Sequence, residues 1–383
     1  MDLLVNRRHE SWQDRSVQYR RLPIEIESPE ERGYDTIRNN LTESSVRDRT
    51  LGELGVGPMD DLVLAYLDHR GDPRLRSLIA EADGLDPSNV LATPGAAAAL
   101  FMVATAALER GDHVVVQHTN YSTNLETPRL IGAEVDLLDV SWESGFRFDL
   151  EELTRLVKPG VTKLISLTVP HNPTGTMITL EDLSAVVTLA ESSGAWLLVD
   201  ETYRGLTHGE SLPSASTLTD RAVAVSSMSK TFGIPGIRMG WATTTSPEMA
   251  ELLLAAKEQI VITGSALDEA VAAHALANAD RLLAETRAMM RSHLKIVTEW
   301  IDAEPLISWV APSGGVVCFP RLAEDADPEV FVREANERGT FVGEGHWFDA
   351  DRHHFRLGYG WPTTDELRAG LADLSEAAKL ALR

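Results

Sequence analysis

Short apolar runs alternate with longer segments of helical period between about residue 50 and residue 265. The runs begin at residues 113, 163, 195, 222 and 239 and read HVVVQ, KLISLTVP, AWLLVD, AVAVSS and MGWATT. Runs this continuously apolar are typical of parallel strands that are covered on both faces. Between them, the segment 180–192 reads as a helix, because Thr179 can cap it and Glu181 and Asp182 occupy its first turn. We therefore predict an α/β fold with a mainly parallel sheet and helices on both faces.

We divide the 383 residues into three parts, because a chain of this length exceeds the size at which a single core usually stops growing. Residues 1–45 are polar, charged and without apolar periodicity, so we expect an arm that folds onto the rest of the molecule. Residues 46–270 form the large domain. Residues 271–383 form a smaller α+β domain, whose predicted strands are GGVVCFPRL from residue 314 and HFRLGYG from residue 354.

The composition excludes several partners. The formal net charge is −23, from 35 Lys and Arg against 58 Asp and Glu, and such a surface repels nucleic acid and anionic lipid. The first residues lack the long apolar core of a signal or membrane anchor, and the most apolar segment, 95–108, is shorter than the roughly 20 residues that cross a bilayer. We expect a cytoplasmic protein with a buried helix at 95–108.

A lone Cys318 cannot form an intramolecular disulfide or a cysteine-based zinc site, so we expect a buried side chain there and no metal site.

Four polar motifs follow one another, each at or just beyond the end of an apolar strand. They are HNPTG at 171–175, VDETY at 199–203, SMSKTFGIPGIRMGW at 227–241 and FRLGYG at 355–360. In open α/β sheets, ligands bind at the carboxyl edge of the strands. Asp200 ends a buried strand, where an unpaired carboxylate costs several kcal/mol and requires a cationic partner. Lys230 lies on a loop where its amine can react with an aldehyde if its neighbours lower its pKa.

A candidate anion site precedes these motifs. The segment ATPGAAAAL places Gly95 in a turn that opens an Ala-rich helix. The backbone amides of Ala96 and Ala97 would then face an anion at a helix N-terminus. Pro-Gly before a helix is common, so this segment alone is equally compatible with an ordinary helix start.

The order and spacing of the four motifs, from about residue 40 to the end, resemble those of the class I and II aminotransferases. These are fold-type I enzymes that use pyridoxal 5′-phosphate (PLP), with a mainly parallel seven-stranded sheet in the large domain and a smaller α+β domain. The resemblance implies that Lys230 forms the Schiff base with PLP and acts as the base at the substrate α-carbon. It further implies that Asp200 binds the pyridinium nitrogen and that Tyr203 and Asn172 hydrogen-bond the ring O3′.

The same resemblance implies the remaining cofactor contacts. Ser227 and Arg238 would join the helix amides as phosphate ligands, since the fork of a guanidinium suits phosphate. Tyr121 would stack on the pyridine ring, although a core tyrosine is the alternative. We expect a structural role for His171, because relatives usually carry another residue beside Asn172.

Two further residues relate to the substrate and the assembly. Arg356, in FRLGYG, matches the arginine that binds the α-carboxylate in this family, which implies an L-α-amino acid substrate. Tyr66, in YLDHRGDPRLR, matches the tyrosine that reaches the neighbouring subunit's phosphate, which implies a homodimer with shared active sites.

The motifs do not decide which reaction follows loss of the α-proton from the substrate. Transamination to a 2-oxo acid is one path, and elimination followed by cyclisation is its close competitor. Segments at 49–55 and 314–322, together with the chain from residue 355, resemble those of capreomycidine synthases, which close a hydroxylated arginine into a cyclic guanidine. Glu43 or Asp35 of the arm would then receive the guanidinium, although both are equally compatible with solvated or capping groups.

A PLP-fold binding module without turnover is a third possibility, but such a module would not need the full set of cofactor-binding and substrate-binding residues named above.

Overall fold

The structure, a computed structural model, describes residues 19–382. The first 18 residues of the predicted arm therefore lie outside the described residues. The strands are β1 (Asn39–Asn40), β2 (Val90–Thr93), β3 (His113–His118), β4 (Glu134–Asp139), β5 (Thr162–Thr168), β6 (Trp196–Asp200), β7 (Ala222–Ser227), β8 (Gly240–Thr243), β9 (Ile307–Ser308), β10 (Val317–Cys318), β11 (Arg321–Leu322), β12 (Thr340–Phe341), β13 (Gly343–Glu344) and β14 (Phe355–Gly358). The helices are α1 (Pro23–Ile26), α2 (Pro29–Arg32), α3 (Leu51–Leu54), α4 (Pro73–Asp83), α5 (Gly95–Ala107), α6 (Ser122–Ile131), α7 (Leu150–Leu156), α8 (Leu180–Ser193), α9 (Met228–Thr231), α10 (Pro247–Ile260), α11 (Ala266–Ala277), α12 (Ala279–Ala303), α13 (Pro328–Glu337) and α14 (Thr364–Ala381).

Seven strands form the central sheet in the order β2-β8-β7-β6-β5-β3-β4. The strands pair in parallel except β8, which is antiparallel to β7 and to β2. The carboxyl ends of β3, β5, β6 and β7 consequently meet at one edge of the sheet. This confirms the predicted α/β fold with a mainly parallel seven-stranded sheet.

Alternate residues of the strands pack into separate cores on the two faces of the sheet. Val114 and Val116 contribute to the core beneath α5 and α10, whereas Val115 contributes to the core beneath α7 and α8. Both sets are fully buried, which explains why these strands read as unbroken apolar runs. Helix α8 begins as predicted, because the Thr179 side chain accepts from the backbone N–H of Asp182 in a capping box.

The C-terminal part of the chain has its own core beside the sheet. Strands β10, β14 and β13 form an antiparallel sheet that packs with α12, α13 and α14. The short strand β1 pairs in parallel with β12, and Leu41 and Val46 pack into this same core. The end of the predicted arm is therefore attached to the C-terminal unit. The domain boundaries after residues 45 and 270 stay predictions.

Local details differ from the sequence-based expectation in two places. The described end of the arm is not wholly irregular, because α1 and α2 form single helical turns, each with a proline at its first position. The sequence from 265 to 303 reads as one helical stretch, but the structure has two helices there, since Asn278 leaves helical geometry and ends α11.

Two further observations concern the described part of the chain. Cys318 is fully buried, and burial raises the pKa of its thiol. Within residues 19–382, no helix is long and apolar enough to cross a membrane, and no group of three or more His, Cys, Asp or Glu side chains is arranged to hold a metal ion.

Candidate functional site

A cavity of about 460 Å³ opens at the carboxyl edge of the sheet, between the end of the arm, the N-terminus of α5 and the C-terminal unit. It brings together eleven of the residues singled out in the sequence: Glu43, Ala96, Ala97, Tyr121, Asn172, Asp200, Tyr203, Ser227, Lys230, Arg238 and Arg356. The three other residues that were predicted to bind cofactor or substrate do not line it. Gly95 lies just behind it, Asp35 is exposed in a turn of the arm, and Tyr66 is exposed elsewhere on the surface.

Lys230 lies in α9, the single helical turn that follows β7, and its side chain faces the cavity. Burial lowers the pKa of its amine, and the positive charges of Arg356 and Arg238 lower it further. The carboxylates of Glu43 and Glu30 act in the opposite direction. The net effect favours the uncharged amine, the form that reacts with an aldehyde or accepts a proton.

Asp200 is the last residue of β6 and is buried. Its Oδ1 accepts hydrogen bonds from the backbone N–H of Thr202 at 3.0 Å and from the Thr202 hydroxyl at 2.6 Å. Burial nevertheless raises the pKa of the carboxyl, because removal from water penalises its charge more than these hydrogen bonds favour it. A cation in the cavity would therefore be the natural partner of Asp200. Thr202 was not among the residues predicted from the sequence, although an Asp followed two residues later by Thr is a local hydrogen-bonding pattern.

A closely packed corner joins the N-terminus of α5 to β8. A Cβ atom added to Gly95 would lie 2.6 Å from Nη2 of Arg238, and one added to Gly240 would lie 2.6 Å from the backbone nitrogen of Ala96. Arg238 itself has a left-handed backbone, with φ of 44°, which is uncommon for a residue other than glycine. Its Nη1 donates to the hydroxyl of Ser229 at 3.4 Å. The corner thus directs a guanidinium, a serine hydroxyl and helix amides toward one end of the cavity, where an anion would be stabilised.

Arg356 lies in β14 and connects the C-terminal unit to the sheet. Its Nη1 donates to Oδ1 of Asn172 at 3.2 Å, and its Nη2 donates to the carbonyl oxygen of Thr42 at 2.8 Å. The guanidinium also lies 5.0 Å from the ring centroid of Phe348. Arg356 is only 6% exposed, and its Nε has no hydrogen-bond partner among the described residues. A carboxylate in the cavity would satisfy this fork.

The arm forms one wall of the cavity. The hydroxyl of Tyr203 donates to the carbonyl oxygen of Ser44 at 2.8 Å, and burial raises the pKa of that hydroxyl. Glu43 accepts a hydrogen bond at 2.9 Å from the hydroxyl of Tyr34. The backbone carbonyl of Glu43 packs so closely on Gly358 that a side chain at position 358 would overlap it. Glu30, on α2, lines the mouth of the cavity. Glu30 was not among the site residues predicted from the sequence, since it lies in a run of charged residues without periodicity.

His171 lies beneath the cavity rather than in its lining. Its Nε2 is 2.6 Å from the carbonyl oxygen of Thr119, and its Nδ1 is 2.8 Å from the hydroxyl of Thr174. Nε2 therefore carries the proton and Nδ1 accepts one. Burial lowers the pKa of the imidazole to about 4, so the ring is neutral at physiological pH. These contacts support the expected structural role.

Tyr66 lies on an exposed segment before α4. It is 83% exposed, and Val63 and Leu64 beside it are exposed to a similar degree. Such a group of exposed apolar side chains is typical of an interaction surface. Its predicted contact with a second subunit stays a prediction.

Residues 59–374 match the family described as aminotransferase class I and II. The chain is 31% identical to capreomycidine synthase from Streptomyces vinaceus, over 90% of both proteins. It is similar to a PLP-dependent aminotransferase of known structure from Streptococcus suis, with a TM-score of 0.87, 30% identity and coverage of 93% of this chain and 97% of the other. It is also similar to the structure of a PLP-dependent cyclase, OrfR, with a TM-score of 0.84, 32% identity and coverage of 95% and 99%.

Proposed function

The chain belongs to the class I and II aminotransferases and is a PLP-dependent enzyme, and we propose that it acts at the α-carbon of an L-α-amino acid. The observation that carries the proposal is the shape of one cavity. Lys230 lines the same cavity as a buried carboxylate, Asp200, and a buried guanidinium, Arg356. An amino acid bound to Arg356 through its carboxylate would present its α-carbon toward Lys230.

The cavity fits PLP at both ends of the cofactor. The corner of Gly95, Ala96 and Arg238 has room for no further side-chain atom, but it offers amides and a cation suited to a phosphate. Ser227, the last residue of β7, lines the same end. Asp200, whose carboxyl pKa is raised by burial, suits the pyridinium nitrogen, because a cation beside it would stabilise its charged form. Tyr121, Tyr203 and Asn172 would contact the ring, as the family resemblance implies.

Lys230 and Arg356 would share the work at the α-carbon. Bound PLP supplies an electron sink that makes the α-proton acidic. The Lys230 amine, whose pKa is lowered by burial, would hold the cofactor covalently and later accept the α-proton. Arg356 would fix the substrate carboxylate, so that the bond to the α-proton points toward Lys230. Tyr203, tied to Ser44, would close the arm side of the cavity.

The overall reaction we infer is elimination of water and ring closure on a hydroxylated arginine. The likeness to a capreomycidine synthase and to a PLP-dependent cyclase, each at more than 30% identity and over at least 90% of both chains, supports this choice. In that reaction one C–O bond breaks, one C–N bond to the guanidine forms, and water leaves. No electrons are gained or lost overall, so no amino acceptor is consumed. Transamination is the second candidate, supported by the likeness to the Streptococcus suis aminotransferase.

One experiment separates these reactions. The holoenzyme is incubated with hydroxylated arginine isomers alone and, separately, with L-amino acids plus a 2-oxo acid, and the product masses are followed. Loss of one water without any acceptor is expected for cyclisation. Products that form only when the 2-oxo acid is present would reject cyclisation in favour of transamination. If no product forms under any condition while PLP is bound, the proposal of turnover is wrong.

We also propose a homodimer in which Tyr66 reaches the partner's active site. The exposure of Tyr66 and its apolar neighbours supports this arrangement. A cytoplasmic location stays a prediction from the sequence.

A further inference from the structure

We propose that Glu30 and Glu43 form a subsite for a guanidinium in the same cavity as Arg356. The proposal rests on the proposed function, because it requires an amino acid held by its carboxylate at Arg356. It goes further by assigning the side-chain end of the substrate to named residues of the arm.

The two carboxylates face the cavity from different depths. Glu43 is 9% exposed and stands beside the inner wall, whereas Glu30 is exposed at the mouth. Glu43 accepts from Tyr34 through Oε1, and no described residue donates to its Oε2. Tyr34 is itself positioned by stacking on Trp361, with ring centroids 6.1 Å apart. Glu43 is therefore held in place with one oxygen left for a ligand.

In the described part of the arm, no basic side chain forms an ion pair with Glu30 or Glu43. Arg21, which also lines the cavity, forms its ion pair with Glu31 at 3.0 Å rather than with Glu30 or Glu43. Both carboxylates lie close enough to the buried amine and guanidinium of the cavity to raise the pKa values of Lys230 and Arg356. The arm wall is thus negative and lacks a partner cation of its own.

An independent feature marks Arg356 as part of a ligand site. Arg356 is buried and lines the cavity, yet its Nε has no hydrogen-bond partner among the described residues. An unpaired buried N–H is costly, so a bound anion is expected there. The cavity therefore has a site for an anion at Arg356 and a site for a cation at the arm, which suits a zwitterionic amino acid with an additional positive charge on its side chain.

The arrangement favours a guanidinium over an ammonium group. A guanidinium carries five N–H donors in a fixed plane and can be shared between two separate carboxylates. An ammonium is a compact charge with strong hydration, which makes bridging of Glu30 at the mouth and Glu43 at the wall less favourable.

The test compares L-arginine with L-citrulline, which has the same length but a neutral urea group. Dissociation constants are measured with the PLP-loaded enzyme from the change in cofactor absorbance. The wild type is expected to bind L-arginine about tenfold or more tightly than L-citrulline. The substitution Glu43→Gln should bring this preference close to unity, and Glu30→Gln should reduce it by about threefold to tenfold, while binding of L-citrulline stays the same. Glu191→Gln, which removes an equal charge from the exposed face of α8, is the matched control and should keep the full preference.

Other results would overturn the proposal. Equal binding of L-arginine and L-citrulline by the wild type, or an unchanged preference in both Glu30→Gln and Glu43→Gln, would reject the subsite while leaving the proposed function intact. Binding of L-lysine as tightly as L-arginine would reject the guanidinium assignment. If none of these amino acids alters the cofactor absorbance, the proposed function fails together with the subsite. The amount of bound cofactor and the thermal midpoint of each variant show whether a loss of binding is caused by misfolding. Because Glu30 is exposed, Glu30→Gln is expected to fold normally and keeps the proposal testable even if Glu43→Gln does not fold.

Discussion

The guanidinium of Arg356 donates to the side-chain oxygen of Asn172 across 3.2 Å, although the two residues stand 184 positions apart in the chain. Asn172 follows β5 of the central sheet, and Arg356 belongs to β14 of the C-terminal unit. The contact therefore joins the two units at the point where the substrate carboxylate is proposed to bind.

The first prediction concerns that guanidinium. Arg356→Lys should raise the KM for the amino acid substrate about tenfold to 100-fold, because an ammonium cannot replace the two-pronged contact with a carboxylate. Steady-state kinetics on the enzyme with bound PLP provide the measurement. Arg352→Lys, at an exposed guanidinium nearby in the chain, is the matched control. A KM that rises equally in both variants would contradict the assignment.

The second prediction concerns the covalent attachment of PLP. Lys230→Ala should reduce turnover by at least about 100-fold, since the proposed base is removed. After reduction with borohydride, the wild type should carry the mass of the cofactor, and Lys230→Ala should not. Lys295→Ala, which removes an exposed amine of α12, should behave as the wild type does. Retention of the cofactor mass in Lys230→Ala would place the attachment at another residue.

The third prediction concerns the corner beneath the proposed phosphate site. Gly95→Ala should weaken PLP binding about tenfold or more, because the new methyl group would displace the Arg238 guanidinium. Titration of the apoenzyme with PLP measures the affinity. Gly84→Ala is the control, since Gly84 has a similar positive φ but nothing within 4 Å of its added Cβ. If both variants bind PLP equally well, the corner does not hold the phosphate.

The fourth prediction concerns pH. The folded state depresses the pKa of His171 to about 4, below its ordinary value of 6.5, so the unfolded chain binds the proton more readily. The stabilising contribution is complete above pH 6.5 and is lost as the pH falls toward 4. Relative to His171→Gln, the wild type should therefore lose about 2 kcal/mol of unfolding free energy between pH 8 and pH 5. Denaturant titrations of both proteins test this, and a constant difference across that range would contradict it.

The fifth prediction concerns the proposed homodimer. Tyr66→Ala and Lys230→Ala should each be weakly active alone, but an equimolar mixture that exchanges subunits should recover about a quarter of wild-type activity. Half of the dimers would be hybrids, and each hybrid would hold one site with both native residues. No recovery, despite subunit exchange verified by mass, would mean that Tyr66 serves its own subunit or none.

The sequence was sufficient to predict much of this cavity, for a geometric reason. Asn172, Asp200 and Ser227 each end or follow a parallel strand, and parallel strands deliver their carboxyl ends to one edge of the sheet. The apolar runs that bury Val115 and Leu198 on opposite faces specify the layers in the same way.

The remaining features depend on contacts that sequence spacing does not encode. Glu30 reaches the cavity because the arm folds over it, and the four-residue helix α2 is too short to display a period. The contact of Gly95 with Arg238 joins residues far apart in the chain, through the antiparallel pairing of β2 with β8. The break at Asn278 between α11 and α12 arises at one residue inside an otherwise continuous helical pattern.

The tight packing of Gly358 on the backbone of Glu43 has a consequence for chain-length selectivity. Gly358 stands two residues after Arg356 on the same strand, so the backbone of Glu43 packs against the strand that carries Arg356. Motion of this strand relative to the sheet would carry both side chains together and leave their separation nearly unchanged. A substrate homologue with one methylene more or fewer could then contact either Arg356 or Glu43, but not both at once. The enzyme would therefore select its substrate by side-chain length as well as by charge.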